Sequence, residues 1–484
     1  MTLKLKGDIS ISTVPSIELK ALKINLNKWI YGTFAEIGAG QETVRNFFRA
    51  GGASGTIAKA MSAYDKDFSD AIYGVEDDNR YVTEVRLKKM LGYEIKLIED
   101  RLIREHYPEK MFFSFANTVT TIDFAKKFKG HGWVGLKFQL DPSEPYNEII
   151  LHIRFKEIDA KSQQKTLGAL GVNLIYGAYY LNDNPRELLK SLYDNLDEFQ
   201  LEIDMINFSG PRFLDVDNRL MSLLLVKNGM TNAVMFGPDG NNLLPAEQLY
   251  KANILALRGS FRPVTNVNFD IYTCAAQIFR NEEKVDPENT KVIFEITLSN
   301  LISEGEIDER DFLDRTELLC ELGQNVMITN FQEYYKLVEY FSEYTKKRIG
   351  LAMGVSNFVQ IFNEKYYRHL SGGILEAFGK LFYKNLRVYL YPMKDLETGE
   401  IITSQNLKVH PRMKELYKFF IYNGKVIDLK NYDPNILEIY AKQVLQMISN
   451  GSEGWEKMLP ERIPGIIKTH KLFGYAKDKD AEKA

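Results

Sequence analysis

Apolar and polar positions follow two rhythms along this chain, and the change between them divides it. Between residues 80 and 105, Val82, Val85, Met90, Leu91, Ile95, Ile98 and Leu102 recur at mixed three- and four-residue steps. That period predicts an amphipathic helix, and residues 1–110 as a whole read as mostly helical. From about residue 111 to 395, short β-rich runs appear instead: FFSFANTV, GWVGLKFQL, EIILHIRF, LEIDMINF, NAVMFGPDG, VIFEITL, NVMITNF, IGLAMGV and LRVYLYPM. Helical stretches such as PRELLKSLYDNLDEF and EYYKLVEYFSEYTKK lie between most of them. Strands separated by helices pair in parallel through crossovers, and runs apolar on both faces suit a sheet covered on both sides.

The expected fold is therefore α/β. A (β/α)8-barrel-like parallel sheet spans residues 111–395, with a helical N-terminal region at 1–110 and a helical C-terminal extension at 396–484. An open doubly wound parallel sheet has the same local pattern and is the alternative. In the extension, PRMKELYKFFIYNG and PNILEIYAKQVLQMISNG both end in Asn-Gly, a helix stop.

Composition narrows the class without naming a function. Hydrophobic residues make up 45% and charged residues 26% of 484, so a packed core is feasible. The net charge of -3 gives no dominant basic face for nucleic acid. Cys274 and Cys320 sit in apolar helical stretches and read as buried thiols of a reducing compartment. The start, MTLKLKGDISISTVPS, lacks the apolar core of a signal peptide, and the longest uncharged run, Leu167–Leu181, is shorter than the roughly 20 residues a spanning helix needs. A cytoplasmic protein without a membrane segment is expected, with a homo-oligomer left open.

Two groups of residues are candidates for chemistry. The first is the small-residue cluster Gly51, Gly52, Ser54, Gly55 and Thr56, with Lys59 beyond it. Glycines let backbone N–H groups approach a ligand, and a helix after them would turn its positive end toward a phosphate. No Gly-Lys-Ser/Thr follows at Walker spacing. Tight helix packing with a glycine cap explains the same residues. The second group is polar residues inside strands, where they are costly unless paired. Lys137 interrupts VGLKFQ, His152 and Arg154 share a face, Glu202 and Asp204 share a face, and Glu295 interrupts IFEIT. Lys137, Asp204 and Glu295 are the catalytic candidates, with Asp204 and Glu295 also able to hold Mg2+. Arg154, Arg258 and Arg262 join the phosphate-binding set. An internal ion-pair network is the competing explanation.

The segment Tyr31–Gly74 resembles a family of large bacterial proteins that carry the automated label nicotinate-nucleotide adenylyltransferase. Nucleotidyltransferases of that class have a G-x-F-x-P-x-H-x-x-H signature whose histidines stabilise the transferring phosphates. Here Gly32 and Phe34 match, while Glu36 replaces the proline, and Gly38 and Gln41 replace the histidines. Their distal I-S-x-T-x-x-R element is not visible. The expected function is an enzyme acting on a phosphorylated small molecule or nucleotide. A nucleotidyltransferase-like activity and a non-catalytic binding or assembly role are the alternatives.

Overall fold

The computed structural model describes residues 14–126, 129–303, 305–382 and 385–475. They fall into two compact units that divide between Thr231 and Asn232.

Unit 1 is built on β1 (Ile30–Ile37), β2 (Ile57–Met61), β3 (Met111–Thr120), β4 (His131–Phe138), β5 (Asn147–Phe155) and β6 (Leu201–Ser209). Its helices are α1 (Ile17–Asn25), α2 (Glu42–Ala50), α3 (Lys66–Tyr73), α4 (Glu84–Arg101), α5 (Ala160–Tyr180), α6 (Pro185–Ser191) and α7 (Asn218–Lys227). The strands form one mixed sheet in the order β2-β1-β3-β4-β5-β6. β1 pairs in parallel with β2 and β3, and the remaining pairings are antiparallel. The loops from β3 to β4 and from β4 to β5 are short and their described residues hold no helix, which suits strands that turn back on themselves.

Helices cover both faces of this sheet. On one face, Ser114 Oγ donates to the Leu91 carbonyl of α4 at 3.0 Å. On the other, Phe34 meets Phe47 of α2 with ring centres 5.3 Å apart, and Phe138 meets Tyr179 of α5 at 5.7 Å. The small residues of TLGALGVN let α5 lie directly on α2. A Cβ on Gly171 would come within 2.4 Å of the Thr43 side chain.

Unit 2 contains β7 (Ala233–Phe236), β8 (Asn242–Leu243), β9 (Asn253–Arg258), β10 (Thr290–Thr297), β11 (Ile302–Ser303), β12 (Glu306–Ile307), β13 (Asn325–Thr329), β14 (Ile349–Gly354), β15 (Leu386–Tyr391), β16 (Met393–Lys394), β17 (Ile401–Ile402) and β18 (Val426–Asp428). Its helices are α8 (Pro245–Leu249), α9 (Asn266–Arg280), α10 (Leu298–Leu301), α11 (Glu309–Glu321), α12 (Tyr334–Tyr344), α13 (Val355–Ile361), α14 (Gly373–Leu381), α15 (Lys414–Tyr422), α16 (Ala441–Asn450) and α17 (Ile463–His470). The main sheet runs β18-β15-β14-β9-β10-β13-β7-β8, parallel from β18 to β13 and antiparallel at β7 and β8. From β9 the chain steps outward to β10 and β13, then returns to place β14 on the other side of β9 before β15 and β18. This is the doubly wound order, and it reverses between β9 and β14.

These findings correct several expectations. The strands expected to close one barrel belong to two separate sheets, and the doubly wound alternative describes unit 2. β3 to β6 are antiparallel, not parallel. Residues 1–110 contain β1 and β2, whose apolar runs are short and carry internally bonded polar residues that blur the strand rhythm. The expected boundaries at 110 and 395 do not coincide with the division at Thr231.

Candidate functional site

In doubly wound sheets, ligands bind outside the C-terminal ends of the strands where the order reverses. Unit 2 has a cleft of about 800 Å³ at that place. Residues at or just past the ends of four parallel strands line it: Arg258, Gly259 and Ser260 at β9, Thr297 and Ser299 at β10, Gln332 after β13, and Gly354 and Asn357 at β14. Asn268 and Ile271 reach it from the first turns of α9, and Tyr334, Tyr366, Tyr367 and Tyr440 add rings. Polar side chains make up about half of this lining, more than in the mostly apolar wall usual for a small-molecule site.

The turn from β9 into α9 is held from behind. Arg315 Nη1 donates to the carbonyls of Ser260 (3.1 Å) and Asn300 (2.6 Å). The Asp311 carboxylate pairs with both Arg315 and Arg262, the latter at 2.5 Å. Arg262 is thus directed to Asp311 and does not line the cleft. Thr265 caps α9, and Asn268 Oδ1 accepts from the Thr265 backbone N–H at 2.9 Å, completing a capping box.

Arg258 and Glu295 form the charged pair beside the cleft. Nε donates to Glu295 Oε2 at 2.5 Å and Nη2 to Oε1 at 2.9 Å. Nη1 donates to the Gln332 carbonyl at 2.9 Å, and the guanidinium lies 4.4 Å from the Tyr334 ring centre. Thr329 Oγ1 donates to Glu295 at 2.5 Å, and Glu295 is fully buried. Burial works against the Arg258 charge, but Glu295 outweighs it and the pKa lies above the ordinary value. Burial pushes the Tyr334 phenol up to about 12.

The other predicted residues lie in unit 1. Gly51, Gly52, Ser54 and Gly55 form the exposed turn after α2, and strand β2 follows them where a helix was expected. Asn25 Nδ2 donates to the Gly51 carbonyl at 2.7 Å, and Thr56 Oγ1 donates to the Asn25 carbonyl at 3.0 Å. Lys59 Nζ pairs with buried Glu94 at 2.7 Å, and Glu94 also accepts from Tyr73 and Thr33. Lys137 pairs with Glu148 at 2.5 Å, six residues along β4 from His131 and so roughly 20 Å away on the same face.

At the His131 end, Arg154 faces Glu202 at 3.6 Å, and Thr231 Oγ1 donates to Glu202 at 2.6 Å. Asp204 Oδ1 lies 2.5 Å from His152 Nδ1, and His152 Nε2 lies 3.3 Å from His131 Nδ1. Burial, with His152 nearby, holds the His131 pKa down at about 4. The structure therefore brings Arg154 and Asp204 together, leaves Lys137 apart from them, and puts Glu295 in the other unit. Among the described residues, no three His, Cys, Asp or Glu side chains gather where they could hold a metal ion. No helix among them is long and apolar enough to cross a membrane.

A further buried carboxyl sits where β1 ends. Glu36 accepts from the backbone N–H groups of Thr43 (3.1 Å) and Val44 (2.9 Å) at the start of α2, and from Asn117 Nδ2 (3.2 Å). Burial outweighs these bonds and raises its pKa to about 7. Gly38, two residues on, has φ +99°, and a Cβ there would lie 1.7 Å from the Val119 carbonyl oxygen, so only glycine fits this turn.

The G-x-F-x-P-x-H-x-x-H spacing fits Gly259-Ser260-Phe261-Arg262-Pro263-Val264-Thr265-Asn266-Val267-Asn268 better than it fits Gly32–Gln41. Glycine, phenylalanine and proline all match, and Thr265 and Asn268 stand at the two histidine positions.

The strand order and the cavity define unit 2 as a doubly wound α/β domain with a cleft at its switch point. No family model matches the chain, and no curated protein matches it. Solved structures do match over about a third of it. A competence-damaged protein (CinA) superfamily protein from Enterobacter cloacae is 11% identical, covering 37% of this chain and 98% of that one at TM-score 0.25. The competence/damage inducible protein CihA from Agrobacterium tumefaciens is 16% identical, covering 33% and 94% at TM-score 0.24. A CinA superfamily protein from Escherichia coli is 11% identical, covering 34% and 94% at TM-score 0.22. At these TM-scores the likenesses carry no argument about either unit.

Proposed function

We propose that unit 2 binds a nucleotide in the switch-point cleft, as a nucleotidyltransferase-like domain acting on a phosphorylated small molecule. The placement of Gly259–Asn268 carries this reading. The segment with the signature spacing forms the turn from the first parallel strand into α9, and Gly259, Ser260 and Asn268 line the cleft. The distal element has a partial counterpart in Ile402-Thr403-Ser404-Gln405-Asn406-Leu407-Lys408, with a cation at the arginine position. Lys408 lines a neighbouring cleft of about 400 Å³ with His410 and Arg412, and Gln360 lines both clefts. Magnesium held by Asp204 and Glu295 does not fit the arrangement, because Asp204 is bonded to His152 and Glu295 to Arg258.

The test is a thermal-shift series on the full chain with ATP, GTP, CTP, UTP, their nucleosides and sugar phosphates, each with and without Mg2+. A specific ligand at a hundred times its Kd adds about 2.7 kcal/mol by mass action. A rise with one nucleoside triphosphate above the sugar phosphates is expected, and no rise with any nucleotide ends the reading. One observation favours a second reading, binding without transfer. Thr265 and Asn268 are uncharged and bonded to each other, so neither can neutralise a transferring phosphate as histidine does. Pyrophosphate release from the bound triphosphate separates the two.

A further inference from the structure

Among the described residues, the lining of the switch-point cleft includes two charged ones, Arg258 and Glu333. Glu333 pairs with Lys336 at 2.9 Å. Arg258 is therefore the one cation among the described residues of the lining. A guanidinium carries five N–H groups. Three are used, on Glu295 Oε2, Glu295 Oε1 and the Gln332 carbonyl, which leaves one on each Nη. The group cannot swing to another partner. Glu295 grips it at two points, Thr329 anchors Glu295, and the Tyr334 ring lies 4.4 Å from the guanidinium carbon. A fixed fork with one open N–H on each arm matches two oxygens of a phosphate.

We propose that Arg258 is the residue that receives the phosphate of the bound nucleotide, and that Glu295 is a positioning residue that holds the fork rather than an acid, base or metal ligand. The proposal rests on the nucleotide reading and gives it a direction. The phosphate lies against Arg258, Gly259 and Ser260 at the ends of β9 and β10, which leaves Tyr366, Tyr367 and Tyr440 for the ring.

The experiment is titration calorimetry on the full chain with the triphosphate that shifts melting most and with its parent nucleoside. Arg258→Met alone would strand a buried carboxylate, so the main variant is the double change Arg258→Met with Glu295→Gln, which removes both charges together. Loss of about tenfold or more in triphosphate affinity, with nucleoside affinity within about twofold, is expected for the loss of a charge-assisted contact. Triphosphate affinity within about twofold of wild type overturns the proposal and leaves the nucleotide reading standing. If the double variant does not fold, Arg258→Lys replaces it, since lysine keeps the partner for Glu295 but loses the fork. A drop of about threefold or more supports the proposal, and unchanged affinity overturns it. A wild type that binds neither probe ends both the reading and the proposal.

Discussion

Two groups in unit 1, half-buried His131 and buried Glu36, should pull its stability in opposite directions over the same pH range. His131 has a folded pKa of about 4 against an ordinary 6.5, so the folded state resists its protonation. Its contribution is present above pH 6.5 and is lost as pH falls toward 4. Glu36 has a folded pKa of about 7 against an ordinary 4.5, so the folded state resists its ionisation. Its contribution is present below pH 4.5 and is lost as pH rises toward 7. Each slope is about 1.36 kcal/mol per pH unit where a full proton is at stake. Between pH 4.5 and 6.5 the two slopes oppose each other, and together they leave unit 1 nearly flat. Removing one group exposes the other. Glu36→Gln should make stability rise with pH across that window by at most about 3 kcal/mol, and His131→Gln should make it fall by a similar amount.

Urea unfolding at pH 4.5, 5.5, 6.5 and 7.5 measures these slopes, with Trp29 and Trp133 reporting on unit 1. Trp455 lies in unit 2, so a Trp455→Phe background keeps the signal to one unit. Both variants will also have an offset. Glutamine at 36 can give one oxygen where two backbone N–H groups now bind a carboxylate, a loss of about 1–3 kcal/mol at every pH. The slope, not the offset, is the readout. Both variants running parallel to wild type would refute the reasoning, because neither burial could then be setting a pKa. His152, Asp204 and Arg154 surround His131, and their charges act on it in the same way in wild type and in the Glu36 variant.

Three further outcomes follow from particular contacts. Lys59→Ala should destabilise unit 1 by about 1–3 kcal/mol in urea unfolding, because it strips a partner from buried Glu94, and it should leave nucleotide affinity unchanged in calorimetry. Gly171→Ala should cost about 1–3 kcal/mol, since its Cβ would press on Thr43 between α5 and α2; a neutral result would show that α5 can shift. Asp311→Ala leaves Arg262 and Arg315 without their shared carboxylate and should cost about 3–5 kcal/mol in unit 2; the turn at Ser260 loosens with it, which thermal melting and ligand titration read together.

The sequence carried the elements better than their pairing. Runs such as NVMITNF and IGLAMGV are apolar on both faces because β13 and β14 are interior strands, β14 parallel to both neighbours and β13 parallel to β10 and antiparallel to β7. EIILHIRF and LEIDMINF have the same texture but lie in β5 and β6, which pair antiparallel although α5 and α6 lie between them. Local pattern does not record which neighbour a strand will choose. The barrel expectation failed at that step, since it counted strands across a boundary at Thr231 that no linker composition marks.

The candidate site shows a related confusion between cost and use. A charged residue inside a strand is conspicuous in a sequence because burial makes it costly, but the same cost drives it to find a partner. Lys137, Arg154, Asp204 and Glu295 were conspicuous for that reason, and each one is met by a specific neighbour: Glu148, Glu202, His152 and Arg258. Residues that line an open cleft face no such cost and leave no such mark. Ser260, Thr297, Ser299, Asn268 and Asn357 are ordinary polar residues at strand and helix ends, and their convergence depends on the crossing from β13 back to β14. Arg258 belongs to both groups. Its pairing with Glu295 and its bond to the Gln332 carbonyl satisfy the burial, and two N–H groups remain beyond them. A buried ion pair with donors left over, at the place where a doubly wound sheet opens, is a stronger sign of a ligand than a lone charge in a strand.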